Sequence, residues 1–138
     1  MRIGPILVAG DAISFLVFAA IGRGSHQEAL GITALGSVAG TAWPFLVAWY
    51  VLAIPLGALD PALARQPRSL LVTTGKVWLL AWPCALVIRA IALRRGIPLS
   101  FALVVLVSNA VMLLGWRGCL GLAVRYAGRR SAMRAPGR

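Results

Sequence analysis

"IGPILVAGDAISFLVFAAIG", residues 3–22, is twenty residues of almost unbroken apolar sequence with a single carboxylate, Asp11, inside it. Wound as a helix at about 1.5 Å per residue, it is about 30 Å long, the thickness of the hydrocarbon core of a bilayer. The stretch therefore predicts a membrane-spanning helix. It also raises the question of what a negative charge does part of the way along.

Composition points to the same solvent. Of the 138 residues, 60% are hydrophobic and 12% are charged, whereas charged residues make up about a quarter of a soluble domain. Three acids and fourteen Lys or Arg are too few to cover a water-soluble domain with a polar shell. A cleaved signal peptide is the alternative reading of the first segment, with Arg2 as its charged start. Asp11 would interrupt the apolar region of such a peptide, and the run is long for one, so the helix is expected to stay.

Three further segments are long and apolar enough to cross. No charge lies between Glu28 and Asp60, but Pro44 and Pro55 interrupt that run. The second span is accordingly expected over 41–59, with 31–40 as a short helical or interfacial lead-in. The third, 69–93, contains Lys76 and Arg89, and Pro83 inside it predicts a kink, because proline removes a backbone donor and crowds the preceding turn. The fourth, 97–120, carries Arg117 near its end. Linkers such as "DPALARQPRS" (60–69) and "RRGIP" (94–98) are short and rich in turn residues. The expected fold is all-α: four transmembrane helices in an antiparallel bundle over residues 1–124, followed by a flexible basic tail, 125–138.

Arginines orient the bundle. With four crossings, Arg2, Arg65, Arg68, Arg125, Arg129, Arg130, Arg134 and Arg138 share one side, and only Arg23, Arg94 and Arg95 share the other. Lys and Arg collect on the cytoplasmic side, so both termini of a multi-pass plasma-membrane protein are expected there. The net charge of +11 then reflects topology rather than nucleic-acid binding. Arg125, Arg129, Arg130, Arg134 and Arg138 are expected to lie against anionic headgroups, each contributing about 1 kcal/mol near the surface. Cys84 and Cys119 fall inside spans without metal or disulfide spacing and read as small apolar fillers. No cofactor or metal is implied.

An unpaired carboxylate at mid-bilayer costs about 3 kcal/mol or more, so Asp11 needs a partner. It lies eight residues past Ile3, about 12 Å into the bundle, and Lys76, seven residues past Ser69, reaches about 10 Å from the same face. Arg117 competes, because the fourth helix returns to that face and a guanidinium offers two-pronged geometry. A buried cluster of Asp11, Lys76 and Arg117 is the expectation. It acts as a packing lock in one reading and as a transport site in the other.

Other features are weaker. Trp49 and Trp82 fall near mid-membrane, where they line a ligand cleft or simply pack, whereas Trp43 and Trp116 suit interfacial belts. Arg23, Ser25, His26 and Arg89 cluster toward the opposite face as a candidate anion-attracting rim. His26, the only histidine, lacks the companions of a metal site or catalytic triad. Gly36 with Gly40, and Gly115, Gly118 and Gly121, favour close helix packing, within the bundle or across a homodimer.

The succession "GDAISFLVFAAIGRGSH" (10–26), "WPFLVAWY" (43–50), "VWLLAWPCALVIRA" (77–90) and "LLGWR" (113–117) resembles the small prokaryotic membrane-protein family catalogued as domain of unknown function 3054. The resemblance covers the chain to about Gly118 and leaves the basic tail outside. It implies four transmembrane helices and motif positions at Asp11, Ser25, His26, Pro44, Phe45, Trp49, Arg89, Ala90, Gly115, Trp116 and Arg117, and it brings no activity with it.

Three functional classes follow. A non-enzymatic membrane component, acting as a homodimer or in a larger complex, ranks first. The alternative is a transporter of a small anionic or neutral solute, proton-coupled through Asp11. An intramembrane enzyme ranks last, because no paired carboxylates, histidine cluster or activated nucleophile is legible.

Overall fold

The computed structural model describes residues 3–24 and 32–134. Four α-helices account for nearly all of them: α1 (Ile3–Gly24), α2 (Ile32–Ala53), α3 (Pro67–Leu93) and α4 (Leu99–Arg134), with a 3-10 turn at Pro61–Arg65 between α2 and α3. Each carries a segment apolar and long enough to cross a membrane. The helices form a ring in which each packs on its neighbours in sequence and α4 closes onto α1. Backbones on the diagonals stay apart, and aromatic rings fill the centre, with Phe15 of α1 5.7 Å from Trp78 of α3 and 6.1 Å from Trp49 of α2.

The chemistry of the two surfaces is that of a protein in lipid. Large apolar side chains point away from the bundle, among them Ile21, Val51, Leu79, Ile91, Val111 and Leu122, each more than half exposed. A soluble protein does not leave such an apolar belt open. Half of the buried apolar residues are alanines, including Ala42, Ala48, Ala81 and Ala85. Small side chains let helix backbones approach closely, which is how bundles cohere where lipid removes the hydrophobic drive.

Two boundaries differ from the sequence reading. The second helix takes up the 31–40 lead-in as continuous helix, beginning at Ile32, and its regular part ends at Ala53, short of the expected 59. Pro44 sits buried inside it without ending it, and neighbouring helices make such a proline tolerable in a membrane. Pro55 offers no N–H and interrupts the regular ladder, yet helical bonds continue across it, from Ile54 N–H to Tyr50 O and from Leu56 N–H to Leu52 O. The chain leaves the helix at Gly57, whose φ of +71° is open to glycine at little cost and is the usual way a helix ends. The turn closes with Ala58 N–H donating to Ala53 O at 2.9 Å. Asp60 then caps the 3-10 turn by accepting from Ala62 N–H at 2.8 Å.

The second difference is at the other end. Residues 125–134 of the expected flexible tail continue α4, which runs for 36 residues, about 54 Å. No proline intervenes before Pro136, and Ala and Arg are good helix formers. The guanidinium of Arg130 lies 4.9 Å over the ring of Tyr126, one turn earlier. Pro83 falls inside α3 as expected. Cys84 and Cys119 are exposed on the outside of the bundle rather than filling it.

A buried carboxylate–guanidinium network as candidate functional site

Each helix turns one stripe of residues inward at spacings of three and four, the period of an α-helix. On α1 the stripe is Leu7, Asp11, Ser14, Phe15 and Ala19, and on α4 it is Ala102, Val105, Asn109, Leu113, Arg117 and Gly121. Asp11 and Arg117 are thereby carried into the interior, and both are fully buried. On α3 the stripe passes through Leu70, Thr74, Val77, Trp78, Ala81 and Ala85.

These stripes bring Asp11 and Arg117 together, 106 residues apart in sequence. Arg117 Nε donates to Asp11 Oδ1 at 2.9 Å and Arg117 Nη2 donates to Oδ2 at 2.5 Å. Two indoles complete the shell of the carboxylate. Trp116 Nε1 donates to Oδ1 at 2.9 Å, and Trp49 Nε1 donates to Oδ2 at 3.0 Å. Arg117 Nη1 donates to the carbonyl of Ala58 at 2.7 Å and to Thr74 Oγ1 at 3.1 Å. The Thr74 hydroxyl in turn donates to Leu70 O at 2.6 Å. The guanidinium carbon also lies 5.1 Å from the centroid of the Trp49 ring, a cation–π distance.

Every part of the bundle thus contributes: α1 the carboxylate, α2 an indole, the turn after α2 a carbonyl, α3 a hydroxyl, α4 an indole and the guanidinium. The Ala58 carbonyl is available because the turn after Pro55 leaves it outside a helical ladder. Beside the network, the Tyr50 hydroxyl donates to Val8 O at 2.6 Å, tying α2 to α1 a second time. A buried ion pair is tolerable only with its remaining donors and acceptors satisfied, and here both carboxylate oxygens and four of the five guanidinium N–H groups have partners. Removing one partner of such a pair costs about 3–5 kcal/mol.

Of the residues singled out in the sequence, Asp11, Arg117 and Trp49 meet. Lys76 does not. It is exposed, because it follows Thr74 by two positions, about 200° around the helix at 3.6 residues per turn, and so points away from Asp11. Trp82 donates from Nε1 to Ala102 O at 2.9 Å and packs against the same aromatic core as Trp49, outside the hydrogen-bonded shell of Asp11. Trp116, expected in an interfacial belt, is instead a direct ligand of Asp11.

Two of the four candidate rim residues lie among the described residues. Arg89 lies 4.8 Å over the Phe101 ring and lines a crevice of about 350 Å³ with Arg95. Arg23 lies in the last turn of α1, and Ser25 and His26 lie outside the described residues. Of the tail arginines, Arg125, Arg129 and Arg130 are exposed on α4, Arg134 is its last residue, and Arg138 lies outside the described residues.

Sequence reading missed Thr74, the Ala58 carbonyl and Asn109. Asn109 is fully buried on the α4 stripe, donates to Val105 O at 3.1 Å, and leaves its Oδ1 without a partner. A lone amide or hydroxyl in an apolar span was the available signal. Among the described residues, no three His, Cys, Asp or Glu side chains gather as metal ligands.

The chain belongs to the family described as protein of unknown function DUF3054, whose model matches residues 8–120. The match contains every residue of the network, from Asp11 to Arg117, and stops before the basic end of α4. No curated protein and no solved structure shows significant similarity to the chain.

Proposed function

We propose that this chain is a non-enzymatic component of the plasma membrane, multi-pass with both termini cytoplasmic, whose buried ion pair locks four helices into one arrangement for assembly with other copies or a membrane partner. The observation that carries the reading is the state of Asp11. Four N–H donors occupy its two oxygens, and it is wholly buried. A carboxylate coupling transport has to release and regain a proton or ligand, and here no acceptor position is left for either. Support for the assembly role comes from the exterior, where Gly36 and Gly40 lie open on α2 with Leu35 and Trp43 exposed beside them. The eight-to-three division of arginines supports the orientation.

Reconstitution into sealed vesicles tests the reading. The wild type and Asp11→Asn should show the same background permeability to protons and small anions, while Asp11→Asn unfolds at lower temperature. A proton or solute flux in the wild type that disappears in Asp11→Asn would replace the structural role by transport.

A further inference from the structure

The end of the bundle holding the start of α1 contains a crevice the ion-pair network does not use. It has a volume of about 760 Å³ and lies between Ile3, Arg65 of the 3-10 turn, and the outer turns of α4 from Val124 to Ser131. Three guanidinium-bearing residues, Arg65, Arg125 and Arg129, line it, and among the described residues no carboxylate does. Two of the chain's three acids are committed elsewhere: Asp11 to Arg117 and Asp60 to the Ala62 N–H. The rest of the wall is apolar or small, with Ile3, Val124 and Ala127.

Depth identifies the occupant. Ile3 opens the first apolar span, so the crevice sits where the hydrocarbon of that leaflet gives way to headgroups. A ligand that fits must be anionic on one side and apolar on the other. Guanidinium groups bind phosphate oxygens in pairs with matched geometry, and the apolar wall suits the first methylenes of an acyl chain. The helical extension of α4 past residue 120 builds most of the crevice, so the feature lies largely beyond the segment matched by the family.

We propose that this crevice is a binding site for the phosphate headgroup of an anionic phospholipid, held by Arg65, Arg125 and Arg129 against Ile3 and Val124. The site rests on the membrane reading of the chain, and it is narrower than diffuse attraction of a basic tail to a charged surface. Arg130 separates the two ideas. It has the same charge, is exposed, stacks on Tyr126, and does not line the crevice.

Full-length protein in neutral detergent is titrated with short-chain phosphatidylglycerol, with phosphatidylcholine and with inorganic phosphate, and lipid binding is read by native mass spectrometry. Phosphatidylglycerol should bind in preference to phosphatidylcholine, and inorganic phosphate should not compete at equal concentration. Arg65→Gln, Arg125→Gln and Arg129→Gln should each weaken phosphatidylglycerol about fivefold, the triple variant should abolish the preference, and Arg130→Gln should retain it. All four positions are exposed, so the fold should survive, and an unchanged helical circular dichroism signal checks this. An equal loss in Arg130→Gln, competition by phosphate, or no lipid preference would overturn the site. Failure of the membrane reading looks different, because the protein would then appear in the aqueous fraction after lysis without detergent.

Discussion

The indole of Trp116 occupies the space that a side chain on residue 10 would need. A Cβ placed on Gly10 would stand 2.1 Å from Trp116 Cζ2 and 2.4 Å from Cη2. Glycine there lets the ring press against α1 and aim its N–H at Asp11, the next residue along. The contact explains why an amphipathic ring of α4 lies inside the charge network and not in the headgroup layer.

Gly10→Ala should therefore act through Trp116. The added methyl forces the ring aside, which costs about 1–3 kcal/mol as overpacking, and the displaced N–H leaves Asp11 Oδ1 with one donor fewer. A lower unfolding temperature together with a changed tryptophan fluorescence maximum is the expected result. Gly115, where a new Cβ meets nothing within 4 Å, should accept alanine with little change in either.

Asp11→Asn and Arg117→Met should each destabilise the bundle by about 3–5 kcal/mol, since each strands a buried partner. The double variant should lose clearly less than the sum, because no unpaired charge remains. Equilibrium unfolding of the four proteins in one detergent measures the coupling. Additive losses would show that the two groups do not support one another.

Lys76→Gln supplies the contrast. Lys76 is exposed on the side of α3 away from the network, so its removal should change stability by no more than about 0.5 kcal/mol. A loss comparable to that of Asp11→Asn would restore lysine as the partner of the carboxylate.

Thr74→Val keeps the shape of the side chain and removes the hydroxyl that accepts from Arg117 Nη1. The expected loss is about 1–3 kcal/mol, the cost of leaving a buried donor unsatisfied. Thr74→Ser, which keeps the oxygen, should recover most of it in the same thermal unfolding assay.

Asn109→Leu should go the other way. The Oδ1 of Asn109 is buried without a partner, and the amide donates only to Val105 O of its own helix. An apolar side chain of similar size removes an uncompensated polar atom, so stability should hold or rise by about 1 kcal/mol. A large loss in thermal unfolding would reveal a contact to the amide that the present arrangement does not include.

Much of this protein was legible before any coordinates. Hydrocarbon thickness sets the length of a crossing and hydropathy is a local property, so four spans follow from four apolar runs. The demand of Asp11 for a cation, and the candidacy of Arg117, follow from the cost of a bare charge in lipid. Helix limits were less legible where proline was concerned. Pro44 and Pro55 look like breaks in sequence, yet α2 passes through Pro44, where neighbouring helices make the proline tolerable, and the chain turns away only at Gly57, two residues past Pro55.

The sequence by itself determined the solvent, the number of crossings and the need for a counter-ion. Only the tertiary structure decided which cation answers it, that Trp49 and Trp116 join it, and that Lys76 faces away. The physical reason is rotational. In water a helix advertises its outer face by polarity, but in a bilayer the interior and the surroundings are both apolar, so the sequence hardly marks how each rod is turned about its axis. One residue changes that angle by about 100°. The angle is settled only when alanines, aromatic rings and the single carboxylate of α1 pack against the other three helices at once.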